Sequence, residues 1–170
     1  DVVIKSLNFL DDTVQLILLG DGEEKESLMK LSFELGLTDR VHFLGNIKNP
    51  FQIIKKADIF ILSSKTEGFP MVLIEAMVCE VPIISTHCVS GPSEIFNVDE
   101  FEWEESGIKK TEYGILTKIG DPVCLSKAIV QLLSDPVLSA KYRYNGRVRM
   151  NDYSKEAIVS KYIDSFKLME

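Results

Sequence analysis

The 170-residue sequence has few cysteines, a single tryptophan and no excess of positive charge. It also has no apolar run approaching the ~20 residues needed to span a bilayer. The nearest candidate, residues 69–84, is broken by Glu75, Glu80 and Pro82. Cys79, Cys88 and Cys124 are odd in number and widely spaced. They read as neither a disulfide framework nor a zinc knuckle, and they fit a reducing cytoplasm. The opening Asp1-Val2-Val3-Ile4-Lys5 does not resemble a secretory leader, so a cytoplasmic location is expected. Against 19 Lys and Arg stand 26 Asp and Glu, a formal charge of −7. That balance argues against nucleic acid as a partner, because such binding rests on neutralising phosphates. There is no D-x-D and no histidine cluster; His42 and His87 stand alone and read as packed or surface residues, so no metal is expected. What is present is an ordinary globular balance, 45% hydrophobic and 26% charged, enough for one core of moderate size.

Short, continuous apolar runs predict strands over 14–19, 41–44, 58–62, 81–85 and 113–116. Continuity rather than alternation suggests strands covered on both faces, as in a parallel sheet. Helical patterns lie between them. Residues 23–35 align Leu28, Leu31 and Leu35, with Gly36 as a stop. Residues 50–57 turn Ile53, Ile54 and Ala57 inward, and residues 70–79 are so apolar that a buried helix is expected. Asp121-Pro122 opens a helix to Leu133 as cap and first-turn proline. Two more helices follow, over 137–149 and 154–169. The last has Ser154 as cap and a stripe of Ala157, Ile158, Tyr162, Phe166 and Met169. The fold class is therefore α/β, a Rossmann-like doubly wound parallel sheet with additional C-terminal helices.

Residues 97–112 read as a surface loop. It includes an acidic stretch of Asp99, Glu100, Glu102, Glu104 and Glu105, and Trp103. Lys141, Arg143, Arg147 and Arg149 read as a solvated face, with contact to anionic lipid as the alternative. Cys79 reads as a core thiol and Cys88 as a loop thiol.

The chemistry-bearing stretch runs from Ser63 to Met77 and follows the strand over 58–62. Its loop therefore lies at the carboxyl edge of the sheet, where open α/β folds bind ligands. Pro70 suits the first helical position, leaving the N–H groups of Met71 and Val72 aimed at the crevice as a phosphate site. Glu75 lies about 7.5 Å along the axis from Pro70 at ~1.5 Å per residue, and needs hydrogen-bond donors if buried. It can share a cavity with Glu67. Two carboxylates near an anion site suit a ligand with both phosphate and hydroxyls, such as a nucleotide sugar. The alternative is that Glu75 pairs with a neighbouring Lys or Arg and Glu67 caps the helix. Gly20-Asp21-Gly22 gives a further turn before a helix, as a plain turn or a site wall.

Glu67 to Glu75 forms an E-x7-E pattern that resembles the retaining glycosyl transferases group 1, enzymes of GT-B fold. Val41-His42-Phe43-Leu44-Gly45 resembles the family's V-x-F-L-G strand. Val81 to Thr86 with Ser90 to Ile95 resembles P-V-I-S-T and G-P-x-E-I. Tyr113 to Leu116 with Gly120-Asp121-Pro122 resembles Y-G-x-L and G-D-P. Segments in this order cover nearly the whole chain.

The resemblance implies that residues 1–170 are a C-terminal, nucleotide-sugar-binding domain, with the N-terminal acceptor domain not included. It implies Glu67 as the catalytic carboxylate on the transferred sugar and Glu75 on the ribose. Gly68, Phe69, Met71 and Val72 would line the sugar and phosphate positions, and Phe43, Leu44 and Gly45 the base. Pro70 stands where many members have Gly. The family's diphosphate-clamping Arg and Lys precede the element that residues 1–10 resemble, so this segment alone is expected to be inactive. The implied reaction is hexose transfer with retention to a glycan or lipid-linked acceptor, in capsule, lipopolysaccharide or other polysaccharide assembly. The nucleotide sugar is a substrate, no cofactor or metal is expected, and peripheral contact with the inner membrane face is compatible with such an acceptor. The competing readings are a non-catalytic GT-B-like scaffold and a related epimerase or phosphorylase.

Overall fold

The computed structural model describes residues 1–88, 90–98 and 102–167. Asp99 and Glu100 of the acidic stretch, and Met169 of the last helix, lie outside them. Strands β1 (Leu16–Leu19) and β2 (Val41–Gly45) pair in parallel, with Leu16 opposite Val41 and Leu18 opposite Phe43. Strands β3 (Phe60–Leu62), β4 (Ile83–Thr86) and β6 (Ile115–Thr117) form a second parallel set. β5 (Ile108–Lys110) lies antiparallel against β6. The orders are β1-β2 and β3-β4-β6-β5.

Helix α1 (Val2–Ser6) continues as a 3-10 turn over Leu7–Phe9. Then come α2 (Lys25–Glu34), α3 (Phe51–Ile54), α4 (Met71–Val78) and α5 (Pro92–Ile95). After the sheet, α6 (Pro122–Ser134) and α7 (Pro136–Arg149) lead through a 3-10 turn, Met150–Tyr153, into α8 (Lys155–Lys167). Among the described residues no single helix is long and apolar enough to cross a membrane.

Strand alternation divides the core into two layers. Ile61, Ile84 and Ile115 meet α1 and α6, with Val2, Ile4, Leu125 and Ile129. Phe60, Leu62, Ile83 and Leu116 meet α3, α4 and α5, with Ile54, Leu73, Met77 and Ile95. Each aliphatic side chain taken fully from water contributes about 1.5–3 kcal/mol. This two-sided cover is what doubly wound means in packing terms. At the start of α6, Asp121 accepts from the Cys124 N–H at 2.8 Å, as the Asp-Pro pair leads one to expect.

Several expectations are corrected. Cover on both faces fails for β1, where Ile17 and Leu19 are exposed while Leu16 and Leu18 pack inward. α4 is not wholly buried: Met71, Val72 and Val78 stay exposed along one stripe, opposite Leu73, Ile74, Ala76 and Met77. Pro70 is the N-cap in extended conformation (φ −74, ψ 91), so the helix starts at Met71. The region read as a loop over 97–112 contains β5, whose two lysines hid it from an apolar-run reading. The thiols are exchanged: Cys88 is buried and Cys79 is half-buried at the end of α4.

The basic residues of α7 are not simply a solvated face. Arg149 donates to the Ile95 and Glu94 carbonyls at 2.9 and 2.8 Å, and to Asp152 Oδ2 at 2.8 Å. Its guanidinium sits 5.2 Å from the ring centroids of both Tyr113 and Tyr153. Arg143 donates to the Glu80 carbonyl at 2.9 Å, and Arg147 pairs with the Glu80 carboxylate at 3.6 Å. On the apolar stripe of α8, Tyr162 and Phe166 are exposed and Ala157 and Ile158 half-buried, and none of that helix's described residues is buried.

Candidate functional site

The loop from Ser63 to Pro70 leaves β3 at the carboxyl edge and feeds α4. A hydroxyl shapes its turn: Ser64 Oγ donates to Glu67 Oε1 at 2.6 Å. One carboxylate oxygen of Glu67 is thus oriented from within its own loop. The backbone is fastened by the segment after β4. Thr86 Oγ1 donates to the Ser64 carbonyl at 2.5 Å, and Ser90 Oγ to the Glu67 carbonyl at 3.0 Å. Gly91, at φ +51, lies so close that a Cβ there would stand 2.4 Å from the Gly68 carbonyl oxygen and 2.5 Å from Pro70 Cδ. Only glycine meets both the dihedral and the space. On the other flank, Phe69 meets Tyr153 edge-on with ring centroids 5.5 Å apart.

The start of α4 has no side-chain cap. Leu73 N–H donates to the Pro70 carbonyl at 3.0 Å, while the Met71 and Val72 N–H groups have no acceptor within the helix, so this end carries positive partial charge. Glu75 lies on the exposed stripe of α4, one turn from Met71 and Val72 on one side and from Val78 on the other. It is half-buried, and among the described residues no hydrogen-bond or ion-pair partner is found for its carboxylate. The salt bridge to a neighbouring Lys or Arg, open as an alternative from sequence, is not formed. The Cys88 thiol lies close to Glu67, and burial with that carboxylate pushes it up.

Glu67, Gly68, Phe69, Met71, Val72 and Glu75 therefore share one loop-helix unit, with Phe69, Met71 and Val72 exposed beside the carboxylates. Phe43, Leu44 and Gly45 do not join that unit. They end β2, which pairs with β1 in a sheet of its own rather than with β3, and Phe43 packs into the core while Leu44 is exposed. Gly45 instead meets the Gly20-Asp21-Gly22 turn. Gly20 N–H donates to the Gly45 carbonyl at 2.8 Å, and the Asn46 N–H to Asp21 Oδ2 at 2.9 Å. That turn locks two strand ends together. Open clefts of about 500 and 520 Å3 lie elsewhere, around Arg149 and Tyr153 and around Phe9 and Lys127. Among the described residues no cluster of His, Cys, Asp and Glu could hold a metal ion.

Ser64 and Tyr153 shape the site and were not singled out from sequence, while Thr86, Ser90 and Gly91 stood in the family-like segments without a role at the site. Ser64 with Glu67 was readable as the S-x-x-E spacing of a hydroxyl-carboxylate pair. Thr86 and Ser90 act across more than twenty residues, so their segments were legible but their partners were not.

The model of the family described as glycosyl transferases group 1 matches residues 1–149. The chain belongs to that family. Within it, the chain is 34% identical over 169 residues to an uncharacterised glycosyltransferase of Methanocaldococcus jannaschii, covering 87% of this chain and 40% of that one. A Campylobacter jejuni relative is a 4-alpha-N-acetylgalactosaminyltransferase acting on N-acetylgalactosamine-N,N'-diacetylbacillosaminyl-diphospho-undecaprenol. It is 29% identical over 157 residues, covering 92% of this chain and 40% of that one. The chain thus spans about 40% of the length of the curated relatives it matches. Among solved structures, Anabaena HepE in complex with UDP superposes with a TM-score of 0.80 at 23% identity. The match covers 99% of this chain and 44% of that one. This likeness is one of fold, the Rossmann-like domain of GT-B glycosyltransferases.

Proposed function

We propose that this group 1 chain is the donor-binding domain of a retaining glycosyltransferase. The whole protein moves a hexose from a nucleoside diphosphate sugar to a glycan or lipid-linked acceptor in capsule, lipopolysaccharide or other polysaccharide assembly. One observation carries the reading. Glu67 and Glu75 flank an uncapped helix start, and among the described residues the second carboxylate has no donor. Hydroxyl groups of a ribose supply such donors, and the helix start suits a diphosphate. Glu67, held through one oxygen by Ser64, keeps the other for hydroxyls of the transferred sugar.

In the proposed reaction the acceptor hydroxyl attacks the anomeric carbon on the face from which the diphosphate leaves. The bond from that carbon to the diphosphate oxygen breaks, and the departing diphosphate takes the hydroxyl proton. Charge that develops on it falls beside the Met71 and Val72 N–H groups. The donor is a substrate, and no step proposed here calls on a metal. The Campylobacter jejuni relative, which acts on a diphospho-undecaprenol-linked sugar, agrees with a lipid-linked acceptor. A cytoplasmic protein at the inner membrane face is the corresponding location.

The test is a melting-temperature screen of the full-length protein against UDP, GDP and ADP sugars. Ligand at a hundredfold excess over Kd adds about 2.7 kcal/mol of stability, so one nucleotide should shift the transition clearly. Glu75→Gln should abolish most of that shift while leaving the unliganded transition in place. No shift with any nucleotide would reject the donor-binding reading.

A further inference from the structure

The tripeptide Gly68-Phe69-Pro70 carries the loop from Glu67 into α4, and groups tied to the two ends of α5 grip it twice. At the start of α5, Gly91 lies against the Gly68 carbonyl and the Pro70 ring, where a Cβ would stand 2.4 and 2.5 Å from them. At the end of α5, the Glu94 and Ile95 carbonyls accept from Arg149 at 2.8 and 2.9 Å. The same guanidinium donates to the Tyr153 hydroxyl at 3.1 Å and lies 5.2 Å from the centre of that ring. Tyr153 in turn meets Phe69, with centroids 5.5 Å apart and ring planes inclined by 61°. A bracket thus runs from α5 through Arg149 and Tyr153 and closes on the loop that α5 already touches.

Phe69 needs such a support. It is 39% exposed and stands outside the core layer against which Tyr153 packs. A phenylalanine at the surface exchanges among staggered rotamers, and an edge-on aromatic neighbour selects one of them. Tyr153 is itself fixed, by the Arg149 bond to its hydroxyl and by Arg149 and Lys161 set at 5.2 and 5.8 Å from its ring. The Ser64 bond orients one oxygen of Glu67, but the chain direction on the far side of Glu67 is set by Gly68 and Phe69. Glu75 depends on none of this. Its helix is seated in the core by Leu73, Ala76 and Met77.

We propose that Tyr153 is a positioning residue for the sugar half of the donor: held by Arg149, it fixes Phe69 and with it the stretch from Glu67 to Pro70. The role rests on the donor-binding reading above and adds a division of labour within it. Tyr153 touches no reacting group and acts through Phe69 alone. The sugar half, met by Glu67 and its loop, feels the loss of the Tyr153 ring. The nucleoside diphosphate half, met by Glu75 and the start of α4, does not.

Calorimetric titration of the full-length protein with UDP-glucose and with UDP tests this, with GDP-mannose against GDP and ADP-glucose against ADP as the further pairs. For the pair that the parent protein binds, Tyr153→Leu should weaken the nucleotide sugar about three- to tenfold, the worth of one aromatic pair, and leave the nucleoside diphosphate within about twofold. Tyr153→Phe keeps the ring and should recover most of the loss. If Tyr153→Leu folds poorly, Arg149→Lys should show the same selectivity in smaller measure. In a Phe69→Leu background, Tyr153→Leu should add no further loss, because the route runs through Phe69. Equal weakening of sugar and diphosphate marks Tyr153 as a support of the fold only and overturns the proposal. Unchanged binding of the nucleotide sugar overturns it as well. A parent protein that binds none of these compounds rejects the donor reading, and this proposal falls with it.

Discussion

Tyr142 brings a hydroxyl into the core without a partner. It is 2% exposed, and among the described residues its oxygen accepts and donates nothing. Burial pushes its pKa up to about 12. The unfolded chain ionises this group near pH 10, and the folded chain resists until near 12. Its share of stability is therefore intact below about pH 10 and is lost as pH rises from there through about 12. A difference of about two pH units corresponds to roughly 3 kcal/mol. Tyr142→Phe should flatten that alkaline decline in urea titrations run across pH, leaving the part due to Tyr113 and Tyr153. It should leave neutral-pH stability unchanged or slightly higher, because no hydrogen bond is lost. A loss above about 1 kcal/mol at neutral pH would mean that the hydroxyl has a partner.

At the scale of elements, the 3-10 turn Met150–Tyr153 and α5 are held to one another by a single guanidinium. Arg149 keeps the two carbonyls at the end of α5, while Tyr153 on the same turn touches Phe69. Arg149→Met should cost about 1–3 kcal/mol, since the part-buried Ile95 carbonyl is left unmatched. Arg149→Lys should recover only part of it, because one ammonium cannot serve the same fan of acceptors. Chemical denaturation of the three proteins measures both. This residue also shows where reading the sequence stops. The strands around Ile61, Ile84 and Ile115 were legible because a continuous apolar run needs no partner to be recognised. The loop of Glu67 and Glu75 was legible because proline, glycine and carboxylates cluster within a few positions. Arg149 looked like one more charge beside Arg143 and Arg147, since its acceptors lie more than fifty residues away. β5 was hidden for a different reason: an edge strand of Ile108, Lys109 and Lys110 does not need to be apolar.

For the whole molecule, α8 adds surface rather than core. Tyr162 and Phe166 are 65% and 68% exposed, and the helix meets the body near the Met150–Tyr153 turn. Ending the chain after Ser154 should change stability by less than about 1 kcal/mol. It should also reduce self-association in light scattering, because an apolar patch leaves with the helix. A large drop in the melting transition would show instead that α8 supports the fold.

Two edge strands, β2 and β5, differ in how they discourage unwanted growth. β5 ends the sheet with Lys109 and Lys110, and β2 carries a register shift and finishes at Gly45 with φ +65. Positive charge on one margin and a kink on the other make both poor templates for a neighbouring copy. Fibrous or amorphous deposits should therefore start elsewhere than at these two margins, and neutralising the β5 lysines should turn that margin into a new site of growth.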